Sequence, residues 1–337
     1  MNKMVTMAQI AKKAGVSSGV VSRIINKDET LRIGQHTRKR VEDVIHELNF
    51  SPNVVAQSLA SSRSGTIAMI VHDIANPVYA EIVRGAQKEA SLQNKAIILG
   101  DASAGRSSNV RIAQMISGGG VDGLILQPAG ESSDEVIARA VKKEVPIALL
   151  QAQMEVDAHL IQLPDKEAAK IATEHLKDLG HKNIGCLATE EGLTFTDLRL
   201  SGWREAMEFY ARNELVAYAP PNSDGGEFAV SELLKRNVDI TGLVCFNVVA
   251  AVGVLRFARK IGLKIPQELS VIAIHDVKFA QDLSVPMTVV STPLFEMGQA
   301  AVKAVCFPKS EVRSSFQLVT EPKLLIRKST SRPAIRI

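Results

Sequence analysis

From residue 66 onward, apolar runs of strand length alternate with amphipathic stretches of helical period, and nothing else in the chain constrains its fold as strongly. Strand-like runs fall at 66–71, 96–99, 123–126, 146–150, 183–187, 242–246, 269–274 and 288–290. Helical patterns lie between them at 79–92, 109–116, 134–143, 167–179, 200–211, 228–235 and 249–261. This order predicts parallel sheets with helices on both faces. The stretch is long for one such sheet, so two similar α/β lobes are expected. Ligands of open α/β sheets sit beyond the carboxyl ends of the strands. A two-lobed body therefore places its ligand in the cleft between the lobes.

The strand ends are where polar residues collect. Asp73, Asn76 and Tyr79 follow the first strand and Gln127 the third; Asn247 follows 242–246, and His275 with Asp276 follows 269–274. Together with Arg199 they suit a polyhydroxylated ligand held by carboxylate, amide and guanidinium contacts. Each Asp or Asn taken singly has a simpler reading, as the cap of the next helix.

The first 64 residues differ in character. They carry ten Lys/Arg against five Asp/Glu, whereas the rest of the chain is nearly neutral. A small basic head on a neutral body points to an anionic partner, nucleic acid first, although a solvated charged face gives the same imbalance. Thr6 and Gln9 form a capping box for a helix over 7–14, which Gly15 stops. Ser17 caps a second helix over 18–26, with Val21, Ile24 and Ile25 facing inward. A third helix over 35–48 carries Val41, Val44, Ile45 and Leu48 as its apolar stripe. Two short helices joined by a Gly-containing turn and braced by a third make a helix-turn-helix unit. The second helix of such a unit enters the major groove.

The run from Val5 to Ser17, then Val21-Ser22-Arg23-Ile24-Ile25-Asn26, Thr37-Arg38, Asn49-Phe50-Ser51-Pro52-Asn53 and Ala56-Gln57-Ser58-Leu59-Ala60, closely resembles the head of the lactose/galactose repressor (LacI/GalR) family. The resemblance implies that Ser18 and Gly19 read bases, and that Thr6, Ser17, Ser22, Arg23, Asn26, Arg32 and Thr37 lie near phosphates or groove edges. Thr6 and Ser17 also serve as caps. It further implies a hinge helix over 51–64 that forms on DNA, with Asn53 and Ala56 at the interface and Leu59 wedged between minor-groove base steps. Taken alone, that segment is too short for a stable helix, and its bland reading is a tether. Gly19 and Val20 depart from the family pattern, and Gly19 offers no side chain to a base.

The resemblance runs through the body as well. Ile74-Ala75-Asn76-Pro77, Val121-Asp122-Gly123-Leu124-Ile125, Glu174-His175-Leu176, Leu179-Gly180-His181, Arg199-Leu200-Ser201-Gly202-Trp203, Ile265-Pro266 and Met297-Gly298 are similar to family landmarks. It implies an effector pocket lined by Asn76, Tyr79, Gln127, Arg199, Asn247 and His275. Val248 replaces an Asp of the family pattern, His275 replaces the first of two Asp residues, and Pro221 stands where many members place an aromatic. The effector is therefore not to be read off from the best-known members.

Several classes fall away. A mean hydropathy of +0.07 with 23% charged residues fits neither a disordered nor a membrane chain. The longest apolar run, 248–255, is too short to span a bilayer, and residues 1–9 contain no apolar leader core. Cys186, Cys245 and Cys306 lack zinc-ligand spacing and do not suggest a disulfide framework. Gly15-Val16-Ser17-Ser18-Gly19 fits a nucleophile elbow but follows a helix, not a strand. The Gly-rich run 118–123 leads into a strand rather than out of one, so it is no dinucleotide loop. No metal or cofactor motif appears.

The expectation is an α/β protein: a three-helix helix-turn-helix head (1–50), a hinge helix and linker (51–64), and a two-lobed, periplasmic-binding-protein-like body with parallel sheets (65–337). As a function we expect a cytoplasmic, homodimeric transcription regulator, a repressor, whose affinity for double-stranded operator DNA is set by a sugar-like effector in the cleft. The rivals are a transport-system solute receptor, which needs a secretion leader and no basic head, and a sugar-processing enzyme using His275 with Asp276.

Overall fold

The computed structural model describes residues 5–334 except 26–27, 29, 51–62, 103–105, 129–131, 141–144, 152–153, 237–238, 308–314 and 318–319. The chain divides into two compact units, Met1–Ser64 and Gly65–Ile337. The expected hinge helix, with Asn53, Ala56 and Leu59, and also Asn26, lie outside the described residues.

The first unit holds α1 (Met7–Ala14), α2 (Ser18–Ile25) and α3 (Gln35–Glu47). Gln9 N–H donates to Thr6 Oγ1 while Thr6 N–H donates to Gln9 Oε1, so the capping box forms; Gly15 closes α1 in the left-handed region at φ 64°. Ile10, Ala11, Ala14, Val21, Ile24, Val41 and Val44 make one small core from all three helices. Arg40 reaches from α3 to donate to the Ala14 carbonyl at 2.9 Å, and Lys13 pairs with Glu47 at 2.5 Å, so α3 braces the end of α1.

The second unit is built on two six-stranded sheets. The first orders its strands β11-β5-β4-β3-β1-β2, from β1 (Thr66–Val71), β2 (Ala96–Asp101), β3 (Gly123–Leu126), β4 (Ile147–Leu150), β5 (His159–Gln162) and β11 (Ser315–Gln317). The second orders them β12-β10-β9-β8-β6-β7, from β6 (Ile184–Ala188), β7 (Val216–Tyr218), β8 (Gly242–Cys245), β9 (Ser270–Ile274), β10 (Thr288–Ser291) and β12 (Lys323–Leu325). Every pairing is parallel except β10 with β12, an antiparallel edge that the parallel-sheet expectation did not include. β3, β4, β6, β8 and β9 are buried along their whole length, as strands covered by helices on both faces must be.

The helices are α4 (Pro77–Leu92), α5 (Arg106–Ser117), α6 (Ser132–Ala140), α7 (Asp165–Asp178), α8 (Thr194–Met207), α9 (Ser223–Lys235), α10 (Val248–Ile261) and α11 (Leu294–Cys306). After β5 the chain crosses to the second lobe at 163–164 and enters α7. After β10 it crosses back at 292–293 into α11, which packs on α4 and on β3, β4 and β5. Both crossings leave the carboxyl end of a strand, so those edges of the two sheets border the cleft. Gly85 and Gly298 bring α4 and α11 to backbone contact: a Cβ on Gly298 would run into the Ile82 carbonyl, and one on Gly85 into that of Phe295.

Candidate DNA-binding surface and ligand cleft

On α2, Val21 and Ile24 point into the small core, and Ser18, Gly19 and Arg23 are exposed, with Ser22 half-buried beside them. This exposed set lies on one face, where a recognition helix meets base edges and phosphates. Ser17 Oγ accepts from Val20 N–H at 3.4 Å, and Thr6 and Arg32 are also exposed. Thr37 is half-buried at the start of α3, its N–H bonded to the Gly34 carbonyl. Arg23 is held on the surface by a loop: Nε donates to Asp28 Oδ2 at 2.6 Å and Nη2 to Thr30 Oγ1 at 2.8 Å. Asp28 also accepts the hydroxyl and backbone N–H of Thr30, and these bonds lower its carboxyl to about 2.

In the body, the polar residues at the strand ends separate into caps and cleft groups. Asn76 Oδ1 accepts from Val78 N–H at 3.1 Å, with Pro77 as the first helical residue of α4. Asn247 Oδ1 accepts from Ala250 N–H at 2.7 Å, and its Nδ2 donates to the Pro221 carbonyl at 3.3 Å, so both ends of that amide are engaged in starting α10. Asp73 turns the chain by accepting from Ala75 N–H at 2.9 Å. Asp276 forms a two-point ion pair with Arg327 at 2.9 and 3.0 Å. That pair borders a cavity of about 330 Å³ with Glu81, Ser291, Thr292 and Phe295.

Tyr79 and Gln127 come together. The Gln127 amide hydrogen-bonds the Tyr79 hydroxyl, which burial pushes up to about 12 and which feels both Asp73 and Arg199. Gln127 Oε1 is buried without a partner among the described residues, and so is the Oε1 of Gln151, the residue that follows β4; each residue is 7% exposed. Gln151 holds a φ of 67° and His275, after β9, a φ of 69°: one non-glycine residue in the left-handed region at a strand end in each lobe. Gln151 was not among the expected site residues. Its position after the apolar run 146–150 is the same signal that singled out Gln127.

Arg199 is buried in the second turn of α8, because that helix starts at Thr194 and not near residue 200 as expected. Nε and Nη2 lie 2.8 and 2.7 Å from Asp165 Oδ1, Nη1 donates to the Phe246 carbonyl at 2.8 Å, and Nη2 lies 2.8 Å from His275 Nε2. The Phe195 ring stacks beneath at 5.5 Å. His275 Nδ1 reaches Thr292 Oγ1 at 2.6 Å. Burial, reinforced by the Arg199 charge, holds the His275 imidazole well below its usual range, so it is neutral. Burial also raises the Asp165 carboxyl, against the opposing pull of Arg199. Sequence reasoning missed Asp165 and Thr292, which are ordinary polar residues beside prolines until Arg199 and His275 are placed next to them.

Residues 6–53 match the family model described as bacterial regulatory proteins, lacI family, and residues 64–316 match periplasmic binding proteins and sugar binding domain of LacI family. The chain belongs to the LacI family. A body of this kind is shared with periplasmic binding proteins, and it is the helix-turn-helix match that decides between transport receptor and regulator. The LacI-family chain is 30% identical to the HTH-type transcriptional regulator DegA of Bacillus subtilis (strain 168), over 97% of its own length and 98% of that protein's. It is also 30% identical to the ribose operon repressor of Escherichia coli (strain K12), over 89% and 91%. A solved transcriptional regulator CelR–cellobiose complex superposes with a TM-score of 0.70 at 26% identity, over 96% of this chain and 99% of that one. This LacI-family member is a DNA-binding transcription regulator and not an enzyme. Among the described residues no helix is long and apolar enough to cross a membrane.

Proposed function

We propose that this regulator is a repressor that reads its operator as a homodimer in the cytoplasm, with Ser18 and Gly19 of α2 at the base edges, and that it releases or tightens its grip when a sugar-like effector enters the cleft of the body. Thr6, Ser17, Ser22, Arg23, Asn26, Arg32 and Thr37 lie near phosphates or groove edges. Asn53, Ala56 and Leu59 form the hinge contact in the minor groove. In the cleft, Tyr79, Gln127, Arg199 and His275 meet the effector, with Asp73, Asn76, Asn247 and Asp276 shaping the strand ends around it. The domain boundaries are those expected from the sequence, with the body from residue 65 onward.

The observation that carries the effector reading is the pair of buried amide oxygens on Gln127 and Gln151, which have no partner among the described residues. A buried acceptor left unpaired costs about 1–3 kcal/mol, and the hydroxyls of a sugar or glycoside are suitable donors. The relatives support the same chemistry: one is named for the ribose operon, another structure holds cellobiose. A ligand can alter DNA affinity only by binding one lobe arrangement better than the other.

The test is selection of bound fragments from bacterial genomic DNA, followed by titration of the enriched site with and without a panel of free sugars, glycosides and nucleosides. A reproducible site whose affinity shifts with one panel member is expected. Enrichment of no sequence over bulk DNA would refute the operator reading. A stable operator complex indifferent to the whole panel would refute the effector class.

A further inference from the structure

The first two crossings between the lobes are built alike. Pro164 leads into α7 with φ −77° and ψ 59°, and Pro293 leads into α11 with φ −77° and ψ 62°. Each proline carbonyl accepts the first-turn amide of its helix at 2.9 Å, from Ala168 and from Met297. Asp165 directly follows the first proline and Thr292 directly precedes the second. They lie at opposite ends of a chain of polar contacts: Asp165 to Arg199, Arg199 to His275, His275 to Thr292.

The direction of that chain is fixed by chemistry. A guanidinium has donors only, so His275 Nε2 must present its lone pair to Arg199. The ring proton is then on Nδ1, and Thr292 Oγ1 accepts it. Four side chains, each almost wholly buried, thus link one crossing to the other, with Arg199 donating both to Asp165 and to His275, and His275 donating on to Thr292.

We propose that Asp165 and Thr292 are positioning residues that lock the two crossings to a single setting through Arg199 and His275, so that neither crossing moves alone. Given the effector reading above, any ligand group that takes an N–H from Arg199 or displaces its bond to His275 acts on both crossings together. Loss of either end should then be felt at the other.

Amide exchange in the full-length protein tests this without ligand or operator. The reporters are Ala168 and Met297, read from peptides covering 163–170 and 291–299. Thr292→Val removes the acceptor and should speed exchange at Met297 and also at Ala168, by about tenfold, the effect of losing one buried hydrogen bond. Asp165→Asn should do the same at Met297 from the other end. Thr292→Ser keeps the hydroxyl and should leave both reporters at the wild-type rate. If Thr292→Val unfolds the body, Asp165→Asn alone carries the reading. Acceleration confined to the mutated crossing, in whichever variant folds, overturns the proposal and leaves the effector reading untouched. That reading instead fails on the panel titration, whatever the exchange shows.

Discussion

Nη2 of Arg199 lies 2.8 Å from Nε2 of His275, a donor facing a nitrogen that can only accept there while the imidazole is neutral. Where the family pattern has an Asp in this place, this chain has a group without charge. Among the described residues the Arg199 cation is therefore balanced by Asp165 alone, and this buried ion pair stands beside neutral hydrogen-bonding groups.

That balance gives Arg199 a structural role beside its proposed contact with the effector. Arg199→Ala would leave Asp165 buried without its cation, and breaking one side of a buried pair costs about 3–5 kcal/mol. The body's denaturation midpoint should fall accordingly. Arg199→Lys should recover only part of the loss, since it keeps the charge but cannot reach Asp165, Phe246 and His275 at once. Urea titration followed by the fluorescence of Trp203, the chain's single tryptophan and buried in the same helix, reads both variants.

The body should lose stability as pH falls below about 6.5. Burial lowers the imidazole pKa of His275, His175 and His181, so the unfolded chain takes up these protons at a pH where the folded one does not. Stability is fully present above the unfolded value and declines below it, for His275 at about 1.4 kcal/mol per pH unit. Asp165 has the opposite sign, because its raised carboxyl binds a proton more readily folded than unfolded. One carboxyl against three histidines leaves the slope positive. Denaturation midpoints between pH 5 and 8 check it, and a flat profile would contradict the burial of His275.

Gly298→Ala should destabilise the body by about 1–3 kcal/mol, the usual cost of forcing atoms into a packed contact. The new methyl meets the Ile82 carbonyl and the Ala86 nitrogen on α4, and backbone cannot step aside as a side chain can. Gly85→Ala strikes the same contact from the other helix. The double variant should therefore lose less than the two single losses added, a non-additivity that a double-mutant cycle measures.

Arg23→Ala should weaken binding to all DNA sequences alike and reduce the log–log salt slope by about one, the signature of a lost phosphate contact. Asp28 and Thr30 orient Arg23 in the free protein. Titrations at several salt concentrations decide: an unchanged slope would remove Arg23 from the phosphate contacts.

The sequence by itself determined what local chemistry controls. Thr6 with Gln9, Gly15, Asn76 with Pro77, and Asn247 are short-range caps, and each starts or stops its helix as expected. The alternation of apolar runs determined the parallel α/β body, because fully buried strands need apolar side chains on both faces. Tertiary structure decided the rest. β5 has only Leu160 and Ile161 between His159 and Gln162, β7 is three residues long, and β12 is an edge strand with little burial, so none of them forms an apolar run of strand length. Leu294, Met297, Gly298, Ala301, Val302 and Val305 of α11 recur at helical spacing, but only the fold shows that this late segment completes the first lobe against α4. His275 and Asp276 are neighbours in sequence, yet one turns to Arg199 and the other to Arg327. Asp165 and Thr292 acquire their partners only when strands far apart in sequence come into register, because a buried charge or hydroxyl is satisfied by whatever the packed core brings to it and not by its neighbours along the chain.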